Sequence, residues 1–267
     1  MDLSRPWLDY MEPFKIADNL YFVGTKGGSS HVIDTGCGLI MLDSGYPQTL
    51  YQVLFNMQKI GLNPMDIKYI IHSHGHYDHL GATKALKELT GAKTFIAKED
   101  ELLANGTVDL TWAKELGTEY FESFQPDVLL NDGDIIELGN TKIECVLTPG
   151  HTNGTMSFFF NVFYKNNVYL AGMHGGVGSN TMKKDFLEKY NLPTSCRIDF
   201  LHGLEKVIDR PVEIFLGNHT WNNKTQEKLK TLSPDFNPFI NKTEWKEFII
   251  ECKNKVLNLI ESEKPTD

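Results

Sequence analysis

The segment of residues 71–82, I-H-S-H-G-H-Y-D-H-L-G-A, constrains the fold more than any other part of this chain. It places three imidazoles and one carboxylate in the pattern H-x-H-x-D-H, which comprises His74, His76, Asp78 and His79. These are ligand types that zinc and similar borderline divalent ions prefer. The apolar run of residues 67–71 directly precedes the pattern and predicts a buried strand. We therefore expect a metal-binding loop that connects the carboxyl end of a strand to a helix.

Two further histidines also follow predicted strands. His151 stands in T-P-G-H-T-N-G after an apolar run that ends at Leu147, and His219 stands in F-L-G-N-H-T-W after a run that ends at Leu216. A loop histidine taken alone is commonly a solvated residue or a local hydrogen-bonding group. Three strand-end histidine sites in one chain favour a shared site, because the ends of parallel strands can bring distant segments to the same face.

The chain alternates strand and helix patterns and becomes rich in strands after residue 127. Two sheets interrupted by helices predict a layered single domain over residues 1–267, with the site between its halves and an amphipathic helix at the C-terminal end. Strand patterns cover residues 20–23, 30–34, 39–42, 67–71, 94–97, 134–138, 142–147, 156–160, 168–171 and 213–216. Helical spacing of apolar residues covers 50–60, 80–89, 98–104, 200–208 and 245–260.

Composition and charge limit the partners that the chain can have. Its formal charge of −9 argues against nonspecific binding to nucleic acid or to an anionic membrane. No stretch approaches the roughly 20 apolar residues of a membrane span, and the first residues lack the apolar run of a secretion signal. We therefore expect a protein that acts on a small molecule and is cytoplasmic, or secreted if this is a processed form from which a signal was removed. The cysteines lack C-x-x-C spacing and are expected to be mostly buried free thiols: Cys37, Cys145, Cys196 and Cys252.

The motifs and their order resemble those of the metallo-β-lactamase superfamily. The resemblance rests on H-x-H-x-D-H, T-P-G-H-T-N-G and the late strand-end histidine, and it covers roughly residues 14–222. Within the superfamily the chain is most similar to the subclass B3 β-lactamases, through P-F-K-I-A-D-N-L-Y-F-V-G, L-D-S-G-Y-P and G-A-x-x-x-L-K-E-L-T-G-A-K. The resemblance implies an α+β fold, the four-layer αβ/βα sandwich.

The resemblance also implies two zinc ions, each with three protein ligands and an open coordination position. The ligands of one ion would be His74, His76 and His151, and those of the other would be Asp78, His79 and His219. In such an enzyme a metal-bridging hydroxide attacks the carbonyl of a cyclic amide. Asp78 would also orient this nucleophile and pass on its proton. The function implied is a B3-like β-lactamase.

The chain departs from the B3 pattern where the substrate would bind. Many superfamily hydrolases carry a bridging aspartate at the place of Met173, and B3 enzymes carry serines across residues 173–175, which this chain lacks. We expect Met173 to line the pocket and His174 to donate a hydrogen bond to the substrate. A substrate carboxylate would be met by Asn180, Lys183 or Lys184.

Two other functions are compatible with the same fold. The first is a related hydrolase that acts on a lactone, a thioester or another small ester, with weak or no β-lactamase activity; the missing serines favour it. The second is a di-iron redox protein, which the chain length disfavours because it leaves no room for a flavodoxin domain.

Two segments near the predicted site each allow two interpretations. Residues 110–127 either overhang a pocket or form a surface loop that is anchored by its aromatic residues, Trp112, Tyr120, Phe121 and Phe124. The glycine-rich run G-M-H-G-G-V-G is either a mobile lip or a tight loop after a strand.

Overall fold

The first sheet contains strands that lie side by side in chain order. In the computed structural model, which describes residues 2–118 and 121–264, each of the first three strands of this sheet is antiparallel to the next, and the last four strands are parallel to one another. Its strands are β1 (Phe14–Ala17), β2 (Leu20–Phe22), β3 (His31–Asp34), β4 (Leu39–Leu42), β5 (Ile67–Ile71), β6 (Lys93–Ala97) and β7 (Val128–Leu130). In β5, Ile70 and Ile71 point to opposite faces and are both buried, as expected for a strand covered on both sides.

The second sheet has the strand order β12-β11-β10-β9-β8 and is antiparallel except for the parallel pair β11 and β12. Its strands are β8 (Ile135–Leu138), β9 (Thr141–Leu147), β10 (Met156–Tyr164), β11 (Asn167–Met173) and β12 (Ile214–Leu216). The β10–β11 hairpin turns at Lys165 and Asn166, whose φ angles of 46° and 64° are those of a two-residue type I′ turn. Strands β9, β11 and β12 run in the same direction, so their carboxyl ends lie at the same edge of the second sheet.

Helices cover the outer faces of both sheets. The α-helices are α1 (Leu50–Lys59), α2 (Tyr77–Leu80), α3 (Thr83–Thr90), α4 (Glu101–Ala104), α5 (Lys184–Lys189), α6 (Cys196–Val207), α7 (Thr225–Leu229) and α8 (Glu244–Ser262). Short 3-10 helices span Pro6–Asp9, Pro47–Thr49, Pro64–Asp66, Lys98–Asp100, Lys114–Leu116 and Asn180–Met182. Residues of α1 and α3 pack on the first sheet, and those of α6 and α8 pack on the second.

The core between the sheets completes a four-layer αβ/βα sandwich. Phe22 and Ile40 from the first sheet meet Phe158, Phe160 and Ile214 from the second in one buried cluster. Burying such large side chains away from water is the main force that holds the two sheets together. The α+β class and the layered arrangement expected from the sequence are confirmed.

Several predicted elements differ in extent from the observed ones. The helix predicted at 80–89 is observed as α3, which begins only at Thr83, while Leu80 instead ends the short helix α2. Strand β10 continues to Tyr164, four residues beyond its predicted end at residue 160. Strands β1 and β7 are short, and no strand was expected at either place. None of the helices within the described residues is long and apolar enough to cross a bilayer.

The cysteines follow the expectation in part. All four thiols are free, and Cys145 and Cys252 are buried. Cys196 is only partly buried, and Cys37 is exposed in the turn between β3 and β4, so the expected burial is wrong for Cys37.

His31 on β3 makes stability depend on pH. The side chain is buried against Phe22, and burial lowers the pKa of His31 to about 4. An unfolded histidine has a pKa of about 6.5, so between these values only the unfolded chain binds the proton. The free energy of unfolding should therefore fall as the pH drops from 6.5 to 4, by up to about 3 kcal/mol from this residue.

We expect the free energy of unfolding of the variant His31→Leu to fall less than that of the wild type as the pH is lowered. Urea unfolding of the metal-free protein at pH 7 and pH 4 measures it, since the decrease in unfolding free energy should be smaller in the variant. Exposed His202 on α6 supplies the matched control His202→Leu, which should retain the wild-type decrease. An equal pH dependence in His31→Leu and wild type would contradict the assignment.

Candidate metal centre

The predicted ligands come together where strand ends of the two sheets meet. The H-x-H-x-D-H loop follows β5, His151 follows β9, and His219 follows β12. The ring centroids of His74 and His151 lie 4.7 Å apart, and those of His79 and His219 lie 4.9 Å apart. The three strand ends thus bring these histidines close together, as the sequence predicts, while a shared metal site stays a prediction.

One group of ligands consists of histidines only. The Nε2 atom of His74 lies 3.1 Å from Nδ1 of His76, and His74, His76 and His151 each offer a ligand nitrogen within 4.8 Å of the others. Nδ1 of His151 donates to the carbonyl of Gly178 at 2.7 Å, which leaves Nε2 with the free lone pair. Burial lowers the pKa of His151 to about 4 and holds the pKa values of the other two well below their usual range. All three imidazoles are therefore neutral at pH 7, as metal ligation requires.

The second group contains the carboxylate. Oδ2 of Asp78 lies 3.4 Å from Nε2 of His79 and 3.5 Å from Nε2 of His219. Nδ1 of His219 donates to the carbonyl of Gly27 at 2.9 Å, and its ring stacks on Trp221. This backbone contact between the two halves of the chain turns Nε2 of His219 towards Asp78.

The arrangement fits a divalent cation. Nε2 of His79 is buried and has no hydrogen-bond partner among the described residues. Burial alone would lower the pKa of His79, but the carboxylates of Asp78 and Asp43 outweigh it and raise the pKa to about 10. The site therefore favours positive charge at this nitrogen. Either a proton or a metal ion can supply that charge. Imidazole and carboxylate donors suit a borderline dication such as zinc.

Asp43, which follows β4, holds two ligands in place. Its carboxylate accepts hydrogen bonds from Nδ1 of His79 at 2.7 Å and from the backbone nitrogen and hydroxyl of Ser73 at 2.7 and 2.6 Å. Ser73 in turn lies 3.1 Å from Nδ1 of His74. Asp43 has a φ of 58°, which is an unfavourable conformation for a residue other than glycine. Such contacts orient ligating histidines and increase their basicity.

Asp100 joins the loops that carry the histidine-only group. Its buried carboxylate accepts hydrogen bonds from the backbone nitrogens of Gly75 and Gly154 at 2.7 and 2.8 Å, and from the hydroxyl of Thr152 at 2.7 Å. Gly75 lies between His74 and His76, and Thr152 is next to His151. Burial raises the pKa of Asp100 to about 6, although these three hydrogen bonds favour the ionised form. One side chain thus fixes the distance between the two loops.

We expect Asp100→Ala to weaken metal binding at the histidine-only group. The change leaves the buried backbone nitrogens of Gly75 and Gly154 without an acceptor, which should lower the free energy of unfolding by about 3 kcal/mol. Loss of an outer contact of this kind typically reduces metal affinity about 10- to 100-fold. Chelator competition measures the affinity and urea unfolding measures the stability. Asp209→Ala, which removes an exposed ion pair with Lys246, is the matched control. Wild-type metal affinity in Asp100→Ala would contradict the role.

A cavity of about 590 Å³ opens over both groups. Its wall includes the ligands His76, Asp78, His151 and His219 together with aromatic, amide and cationic side chains: Tyr46, Trp112, Trp221, Asn180, Asn218, Asn222, Lys224 and Lys255. Volumes of this size are typical of small-molecule sites. The site can therefore accept a compact organic substrate beside the metal ligands.

Comparison with known proteins identifies the family. The sequence profile of the metallo-β-lactamase superfamily matches residues 23–162, which is more than half of the chain. The chain belongs to the metallo-β-lactamase superfamily. Together with the site geometry, this membership makes the protein a metal-dependent hydrolase of the superfamily.

Solved superfamily structures resemble this one along nearly the whole chain. The native FEZ-1 metallo-β-lactamase of Legionella gormanii is 30% identical, with a TM-score of 0.88 over 97% of this chain and 98% of that one. BJP-1, a subclass B3 metallo-β-lactamase of Bradyrhizobium japonicum, is 26% identical, with a TM-score of 0.87 over 97% of both chains. Among curated sequences, the hydroxyacylglutathione hydrolase GloC of Haemophilus influenzae is 27% identical over 69% of this chain and 81% of its own length.

The residues expected to bind substrate are only partly found in the cavity wall. Asn180 lines the cavity, whereas Met173 and His174 are absent from its described lining. Met173 ends β11 with its side chain in the core between the sheets, so the expectation that it lines the pocket is wrong. His174 is 2% exposed and its Nδ1 accepts a hydrogen bond from the nitrogen of Gly176, a position that offers no contact to a molecule in the cavity. Successive side chains alternate between the two faces of the sheet, so Met173 faces the core between the sheets and His174 faces the opposite side, with its ring 6.1 Å from that of Phe200.

The two segments with open interpretations are settled differently. Trp112 overhangs the cavity, while Phe124 is buried with Leu80 and Ile96 and anchors the segment; Tyr120 lies outside the described residues. The glycine-rich run is a tight loop around His151. A Cβ atom on Gly176 would stand 2.5 Å from the ring of His151, so glycine is required for this close approach.

Proposed function

We propose that this protein is a dinuclear zinc hydrolase of the B3 type that opens the cyclic amide of a β-lactam. The observation that carries the proposal is the arrangement of six candidate ligands in two adjacent groups. His74, His76 and His151 form the first, and His74 also lies within 4.8 Å of ligand atoms of Asp78 and His79. Asp78 centres the second group, with its Oδ2 at 3.4 and 3.5 Å from Nε2 of His79 and of His219. The side chain of Met173 is buried in the core and contributes no ligand between the groups. The similarity to B3 enzymes over nearly the full chain supports the same function.

The residues of the chain would divide the work between binding and proton transfer. Zinc ions held by the two groups would supply a water of lowered pKa and a positive charge that polarises the substrate carbonyl. Burial alone would raise the pKa of Asp78, but His79 and His219 outweigh it and keep the carboxylate ionised. Its Oδ2 lies beside the two imidazoles, so Oδ1 is the oxygen that would accept a hydrogen bond from the attacking water and take up its proton.

The cavity wall offers a different anion-binding residue from those expected. Lys183 and Lys184 do not appear in its described lining, whereas Lys224 and Lys255 do. Lys255 is paired with Glu251 at 2.7 Å. Lys224 takes part in none of the ion pairs found among the described residues, since the nearby Glu244 is paired with Lys228 instead. Lys224 is therefore the side chain that we propose to meet a substrate carboxylate, with Asn180 as a neutral partner.

A second candidate function is hydrolysis of an acyl thioester or a lactone. The similarity to a hydroxyacylglutathione hydrolase favours it. The buried position of Met173 disfavours it, because many superfamily hydrolases of that kind carry a bridging aspartate at this place.

A substrate panel separates the two candidates. The zinc-loaded protein is assayed with a penicillin, a cephalosporin, a carbapenem, an acyl lactone and a hydroxyacylglutathione. Our proposal predicts that lactam hydrolysis has the highest kcat/KM of the panel. Turnover of the lactone or the hydroxyacylglutathione without turnover of any lactam would reject it in favour of the second candidate.

A further inference from the structure

A second cavity adjoins the metal centre and plays no role in the proposed function above. Its volume is about 220 Å³, and it shares His76 and His151 with the larger cavity. The rest of its wall comes from residues 99–110, from the loop around His151, and from residues 181–199, which include α5 and the start of α6. Its large apolar side chains are Leu102, Leu103, Val108, Leu110, Phe186, Leu187 and Leu192.

An aromatic pair stands between the two cavities. The ring of Trp112, which lines the larger cavity, lies 5.0 Å from the ring of Phe186, which lines the smaller one. Trp112 also approaches His76, with 6.1 Å between ring centroids. Its φ of 67° is rarely adopted by a large side chain and indicates that its surroundings hold it there. The smaller cavity is thus an apolar recess beside the reacting centre, bordered by an aromatic wall.

The charge around the recess restricts what can enter it. Glu99 and Asp199 are exposed at its rim, and the carboxylate of Asp100 in its wall already accepts three hydrogen bonds. Among its described lining residues, none is a lysine or an arginine. A group that ends in a carboxylate would be repelled here, whereas an uncharged hydrocarbon group would be favoured.

We propose that this recess binds an uncharged apolar side chain of the substrate. The side chain belongs to the acyl part of the substrate, the part that contains the carbonyl lying at the metal centre. An apolar cavity of about 150 Å³ is enough for benzene, so this recess suits a group of roughly six to nine carbon atoms. The inference deepens the proposed function and rests on it for the identity of the substrate. It makes the preferred substrates lactams with a hydrophobic acyl side chain.

The proposal predicts how KM depends on side-chain length. In a series of penicillins with acetyl, butanoyl, hexanoyl and octanoyl side chains, KM of the zinc-loaded protein should fall about threefold for each added methylene until the recess is filled. The variant Val108→Phe occupies the recess from a half-buried loop position and should remove this dependence. Val168→Phe makes the same change at an exposed site on β11 and should retain it.

A binding measurement tests the recess without turnover. Calorimetric titration of the metal-free protein with octanamide should detect binding that acetamide does not show, and Val108→Phe should weaken it at least tenfold. Leu110→Asn, which makes the wall polar, should also weaken octanamide binding. It replaces Val108→Phe as the test if that variant does not fold. Octanamide binding that neither folded variant alters, or its absence in wild type, would overturn the proposal. If no penicillin is hydrolysed, the proposed function is rejected. Octanamide binding then tests on its own whether the recess binds an apolar group.

Discussion

Replacing Asp78 by asparagine is expected to lower kcat about a thousandfold or more. The carboxylate lies between His79 and His219, at 3.4 and 3.5 Å from their Nε2 atoms, and its side chain is 15% exposed. An amide has the same shape but carries no charge, cannot accept a proton at neutral pH, and binds a dication less strongly. The variant therefore loses both a ligand and the group that orients the attacking water.

Steady-state hydrolysis and elemental analysis of bound metal together test this expectation. Metal content should fall from two ions towards one in Asp78→Asn, because the histidine-only group remains intact. Asp235→Asn introduces the same change at an exposed position and should leave both quantities at wild-type values. Near-full activity in Asp78→Asn would show that the carboxylate has neither role.

Replacing Asp43 by asparagine should give the second largest effect, through the position and basicity of His79. The carboxylate of Asp43 accepts three hydrogen bonds, one from His79 and two from Ser73. An asparagine at this place has one acceptor oxygen and directs an N–H group at a donor. Zinc affinity at the second group should fall about 10- to 100-fold, as is typical when such an outer carboxylate is changed.

The expected signature of Asp43→Asn is a loss of activity that excess zinc restores. Activity is measured against free zinc concentration set by a chelator, and the midpoint should move to higher zinc while the maximal kcat changes less. Asp235→Asn again provides the control. An unchanged midpoint with a reduced maximum would contradict the role of Asp43 as a positioning residue and point to direct participation.

The candidate metal ligands could be found in the sequence because metal-binding chemistry is restricted to a few residue types. Histidines and an aspartate cluster after one buried strand, and His151 and His219 each follow another strand, so topology brings them to one edge. The residues that hold the ligands have no such signal. Asp43 and Asp100 are single aspartates, far in sequence from the groups they contact, and only the folded chain shows that their carboxylates are buried there.

Substrate contacts were the least predictable part of the site. Whether a residue next to a strand end faces the cavity or the core depends on the strand register, and a shift of one position reverses it. Met173 was placed at the right point of the chain but faces the core. The recess beside His76 and His151 involves leucines and a valine from segments distant in sequence, which on their own are indistinguishable from ordinary core residues.

Stepwise addition of zinc to the metal-free protein tests the central claim most directly. Bound metal and penicillin hydrolysis are measured on the same samples. Our account predicts no hydrolysis without metal and a maximum when two zinc ions are bound per chain. Full hydrolysis by the metal-free protein, or a chain that binds a single ion with no second site, would contradict it.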